Sequence, residues 1–82
     1  MYSQCKYVVL EQEFDGNIRE NIYVFPSNVV HKSVAVRMKG KAVSAGFVAK
    51  DRDGRLYCRG NSESLRVGSR EEDNILLRSL FT

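Results

Sequence analysis

Eighty-two residues with 43% hydrophobic and 28% charged side chains, one proline and six glycines have the composition of a folded chain. That length is too short to divide into two cores, so a single small domain over residues 1 to 82 is expected. No uninterrupted apolar run exceeds the four residues of 7 to 10, far below the roughly 18 residues that span a bilayer as a helix. Lys6, Glu11, Glu13 and Asp15 stand where a signal peptide would be apolar, so the expectation is a cytoplasmic chain with no membrane partner.

Residues 5 to 14, Cys-Lys-Tyr-Val-Val-Leu-Glu-Gln-Glu-Phe, are rich in β-formers and run into Asp15-Gly16-Asn17. Ile18, Ile22, Tyr23, Val24 and Phe25 follow, and two strands about a tight turn predict a hairpin. Pro26 ends that pattern. Ser27 or Asn28 can cap a helix over about 28 to 38, with Val30, Val34 and Met38 recurring every four residues. The same stretch also alternates at Val34, Val36 and Met38, so a strand is the competing assignment. Gly40 breaks the element. A second hairpin pairs residues 43 to 50 with 56 to 58 about Asp53-Gly54, and residues 60 to 64 have the composition of a loop. Ser69-Arg70-Glu71-Glu72 fits a capping box for a helix over about 70 to 80, whose apolar stripe pairs Leu76 with Leu80 and Leu77 with Phe81.

The order ββαββα predicts an α+β fold: a four-stranded antiparallel sheet with both helices on one face. If residues 28 to 38 are extended, the alternative is a five-stranded meander closed by the C-terminal helix.

Few side chains are available for chemistry. Cys5 and Cys58 lack the spacing of a zinc or redox pair and are expected to be reduced, and no Asn-x-Ser/Thr acceptor is present. His31 is the single histidine, so a general base would have to be found there. Ser33, Ser44, Ser62, Ser64 and Cys58 are the candidate nucleophiles, and no spacing prefers one of them. Asp51-Arg52-Asp53-Gly54 superficially resembles a calcium loop. With Gly54 at the turn position, however, Ala49 and Gly60 occupy the places of the first ligand and the closing glutamate. No catalytic set, metal or cofactor is predicted. Gly68-Ser69-Arg70 at a helix start is a formal anion site, but Glu71, Glu72 and Asp73 repel an anion and a structural cap explains it better.

Charge is uneven. Residues 26 to 60 hold Lys32, Arg37, Lys39, Lys41, Lys50, Arg52, Arg55 and Arg59 against Asp51 and Asp53, a net +6, while the flanking segments are −2 and −1. Within this block Lys50, Arg52, Arg55, Tyr57 and Arg59 form the candidate binding surface. Strand alternation sends Arg55, Tyr57 and Arg59 to one side, mixing a stacking ring with phosphate-binding cations.

The segments Val43-Ser44-Ala45-Gly46-Phe47-Val48, Cys58-Arg59-Gly60-Asn61-Ser62-Glu63-Ser64-Leu65 and Ser69-Arg70-Glu71-Glu72-Asp73 resemble short proteins carried by bacterial phages and prophages. No activity is attached to that group, so the resemblance implies a setting rather than a site: small phage-encoded domains commonly bind a host or phage macromolecule. The expected function is a non-catalytic module that binds another protein, host or phage. The alternative is a small nucleic-acid binder using residues 50 to 59.

Overall fold

β1, Cys5–Phe14, and β2, Asn17–Pro26, form the first hairpin in full pairing from Cys5 opposite Pro26 to Phe14 opposite Asn17, in a computed structural model that describes residues 5–80. Asp15 and Gly16 make the two-residue turn with φ of 50° and 82°, the left-handed pair that matches the twist of the flanking strands. β3, Lys41–Lys50, lies on the other side of β1, and β4, Leu56–Arg59, follows it. The antiparallel sheet therefore has the order β2-β1-β3-β4. An irregularity between Val9 and Leu10 inserts one extra residue of β3 into the ladder. No helix among the described residues is long and apolar enough to cross a membrane.

Residues 31 to 38 are helical, which removes the five-stranded alternative: α1 is His31–Met38. It starts three residues later than the pattern predicted, because Val30 is still extended at φ −80° and ψ 135° and no side chain caps it. The preceding residues form a turn closed by the Val29 amide on the Pro26 carbonyl at 3.0 Å. Lys39, left-handed at φ 55°, ends the helix one residue before Gly40, with its amide and that of Gly40 on the last turn's carbonyls.

The expected loop over residues 60 to 64 is part of a third, small hairpin. β5, Asn61–Ser62, pairs with β6, Val67–Gly68, as a separate two-stranded sheet. Ser62 is buried and its hydroxyl accepts from the Leu65 amide at 3.3 Å, so polar turn residues here organise a hairpin. α2 is Asp73–Ser79, three residues shorter at its start than predicted. The capping box at Ser69 and Glu72 does not form. Its acid arm appears one residue on, where Asp73 Oδ2 accepts the Arg70 amide at 2.9 Å, while the Ser69 amide bonds the Gly60 carbonyl. Phe81, assigned to the apolar stripe, lies outside the described residues.

The helices occupy opposite faces of the sheet, not one. Val8, Leu10 and Ala45 pack with Phe25 and with Ala35 of α1, and Leu65 and Val67 of the small hairpin complete that layer. Tyr7, Val9 and Val48 pack with Leu77 of α2, joined by Ile22, Leu56 and Cys58. The cause is visible in β1: Tyr7, Val8, Val9 and Leu10 are all fully buried, and four consecutive apolar residues point to both faces, each of which must be covered.

Candidate binding surface

Among the described residues two polar clusters lie inside the fold, and the titratable groups at their centres, His31 and Asp73, have hydrogen-bond partners of their own. On the α1 side, buried His31 stands edge-on to Phe25 and Phe47, with ring centroids 5.4 and 5.9 Å away. Its Nε2 donates to the Gly46 carbonyl at 2.9 Å. Burial lowers its pKa, the Gly46 carbonyl opposes that shift, and the nearby Lys6 charge adds to it, so the ring is held neutral. None of the candidate nucleophiles is bonded to it. Ser62 and Ser64 pair with each other at 3.3 Å, and Ser44 and Cys58 belong to the opposite side of the sheet. His31 is a packing residue at the start of α1.

On the α2 side, Asp73 is fully buried and accepts three hydrogen bonds: from Tyr7 Oη at 2.6 Å, from the Arg70 amide at 2.9 Å and from Arg70 Nε at 2.9 Å. Arg70 continues outward to Glu20 at 2.9 Å, tying α2 to β2. Burial alone would raise the Asp73 pKa, but the bonds from Tyr7 and Arg70 outweigh it and the net shift is downward. Ser44 Oγ is buried close enough to contribute to that lowering, yet makes no hydrogen bond of good geometry. Tyr7 is pushed up by burial and by the carboxylate, and burial pushes the Cys58 thiol up to about 11. Sequence reasoning had read Asp73 only as one of three acids that repel an anion at the helix start. A tyrosine in a doubly buried strand was the available signal, since its hydroxyl needs a partner.

The two cysteines are not in a disulfide. Cys5 and Cys58 both oppose Val48, from β1 and β4 on either side of β3. Two strand spacings separate them by about 10 Å, beyond the reach of a bridge.

The five residues singled out for binding all lie at the β3–β4 hairpin. Asp51 builds the loop: its Oδ1 accepts the Asp53 and Arg55 amides, both at 2.9 Å, and its own amide donates to the Arg55 carbonyl at 2.9 Å. Gly54, at φ 82°, supplies the left-handed residue of this five-residue connection, residues 51 to 55, which is longer than a two-residue turn about Asp53-Gly54. Asp51 is therefore turned onto backbone amides. Arg52, Arg55 and Arg59 are exposed and form no ion pair among the described residues. Lys50, opposite Leu56, shares the α2 side, whereas Tyr57 and Arg59, opposite Ala49 and Phe47, share the α1 side. Tyr57 is half-buried. The hairpin thus gathers the cations at one end of the sheet and presents little ring area.

The other end differs in charge. β1 pairs with β3 only as far as Glu11, so the rest of the first hairpin continues as a two-stranded ribbon carrying Glu13, Asp15 and Arg19, with Phe14 and Ile18 exposed. Among the described residues no group of three or more His, Cys, Asp or Glu side chains is placed to hold a metal. No family model, curated protein or solved structure matches the chain.

Proposed function

We propose that this chain is a small non-catalytic binding module whose basic hairpin docks an acidic surface of another protein, in the cytoplasm and in a phage or prophage setting. The observation that carries the reading is the hairpin itself: Arg52 and Arg55 on the loop and Arg59 on β4 are exposed without acidic partners among the described residues, and the loop is held by four hydrogen bonds of Asp51. Guanidinium groups on a loop ordered in advance lose less freedom on docking and match carboxylates bidentately. The two buried polar clusters support the same reading, since His31 and Asp73 are engaged in holding α1 and α2 to the sheet.

Nucleic acid is the second reading, favoured by Tyr57 sharing a strand face with Arg59. Its weakness is ring area, because a stacking platform requires an open face and Tyr57 is half-buried. Affinity capture from a bacterial lysate, with and without nuclease, separates the two. A partner retained after nuclease and lost from the Arg55→Ala, Arg59→Ala chain supports docking on protein. Loss of all captured material on nuclease treatment, or full retention by the double variant, rejects it.

A further inference from the structure

The sheet has two edges, and the backbone of one of them is taken by a helix. At β4 the amide of Cys58 points away from β3 and is taken by Asn74 Oδ1 of α2 at 2.8 Å. β2 is ten residues long and, among the described residues, has no strand on its outer side. The two-residue turn makes Phe14 and Asn17 a hydrogen-bonded pair, and such pairs alternate along an antiparallel ladder. Asn17, Arg19, Asn21, Tyr23 and Phe25 therefore bond β1, while Ile18, Glu20, Ile22 and Val24 direct their backbone groups outward. Native sheets protect such an edge with prolines, charges or a covering element. Here proline arrives only at Pro26, and Ile18 and Val24 are 65% and 39% exposed.

We propose that β2 pairs antiparallel with β2 of a second copy of this chain, about a two-fold axis at Asn21. Pairings that set outward residues against outward residues have their axis on a residue, and those nearest the middle of the outward set from Ile18 to Val24 lie at residues 20, 21 and 22. An axis at Glu20 places that carboxylate opposite its own symmetry mate, a like-charge pair. An axis at Ile22 brings Ile18 opposite Pro26, which has no amide to donate. The axis at Asn21 uses all four outward residues of each strand, pairing Ile18 with the partner's Val24 and Glu20 with the partner's Ile22. It sets the two exposed apolar side chains of the edge against each other. On the other face it sets Arg19 opposite the partner's Tyr23, whose ring is suited to a guanidinium. Asn21 meets its own mate; its Nδ2 already donates to Gln12 Oε1 at 2.8 Å and retains a second hydrogen.

This register also explains the unsupported ribbon. The tip of each copy, which extends past β3, is laid along the partner's strand where that strand is backed by Tyr7 and Val8 of its own sheet. The product is a continuous eight-stranded sheet with both α1 helices on one face and a basic hairpin at each end. Self-complementarity in a single register is what selects a second copy over an unrelated strand.

Sedimentation equilibrium across a dilution series from about 1 to about 100 μM, which brackets a dissociation constant in the micromolar range, tests the proposal. The wild-type chain is expected to be dimeric at the upper end. Ile18→Lys and Val24→Glu, both on exposed side chains, are each expected to abolish the dimer while far-UV circular dichroism stays as in wild type. An equimolar mixture of the two variants should restore it, because the introduced cation then faces the introduced carboxylate and the remaining Ile18–Val24 pair is intact. A wild-type chain that stays monomeric throughout, a single variant that still dimerises, or a mixture that stays monomeric overturns the proposal.

Discussion

Replacing Tyr7 by phenylalanine removes one oxygen from the centre of the α2 interface and leaves the ring in place. The hydroxyl donates to Asp73 at 2.6 Å, inside a site where the carboxylate is fully buried and its other bonds come from Arg70. A hydrogen bond to a charged acceptor contributes about 1.5 to 3 kcal/mol, so the variant should lose about 2 kcal/mol, which for a chain of this size lowers Tm by roughly 10 °C. Urea titration followed by circular dichroism gives the difference directly, and pH sharpens it. Asp73 has its folded pKa depressed below the unfolded value of about 3.9, so its contribution is present above that value and lost as pH falls through the folded pKa. The stability gap between wild type and Tyr7→Phe should therefore be largest near neutrality and shrink in acid. A gap below about 0.5 kcal/mol at pH 7, the range of ordinary surface changes, would falsify the role given to this hydrogen bond.

Leu77→Ala should cost about 2 to 5 kcal/mol by opening a cavity against Tyr7 and Val9, and Leu80→Ala, half-exposed at the end of α2, well under 1, both by denaturant titration. Ser69→Ala should be nearly silent in the same assay, because its hydroxyl caps nothing and its amide bond to Gly60 survives the change. Gly46→Ala should unfold the protein or lower Tm sharply, since the added methyl meets the Arg59 carbonyl oxygen, which as backbone has little room to withdraw. Native-state alkylation followed by mass spectrometry should find Cys58 protected at pH 8, because burial holds its thiol near 11 and so protonated; rapid modification of Cys58 would contradict that.

Much of the strand layout was legible because its signals are local. Asp15-Gly16 and Asp53-Gly54 mark turns by backbone geometry, and the apolar runs on either side set the strands. The arrangement of layers was not read correctly, although residues 7 to 10 held the clue that both faces of β1 are buried and so need a helix each. Helix starts were displaced for a different reason. A capping pattern names side chains able to cap, while tertiary bonds choose among them: Asp73, drawn inward by Tyr7, took the Arg70 amide and left Ser69 and Glu72 outside α2. The short β5–β6 hairpin was hidden because two-residue strands carry no periodicity. At the basic hairpin, alternation correctly separated Leu56 and Cys58 from Tyr57 and Arg59. How far Tyr57 would be covered was beyond sequence, since that depends on what packs across the strand face.

The functional account stands on the basic hairpin meeting protein rather than nucleic acid. Anisotropy titration of a fluorescent single-stranded oligonucleotide over a range of salt tests this most directly. The account predicts only weak, sequence-independent binding, roughly 10⁻⁴ to 10⁻⁶ M at physiological salt, unchanged by Tyr57→Ala. Submicromolar binding with a steep salt slope, weakened about tenfold or more by Tyr57→Ala as loss of stacking requires, would contradict it.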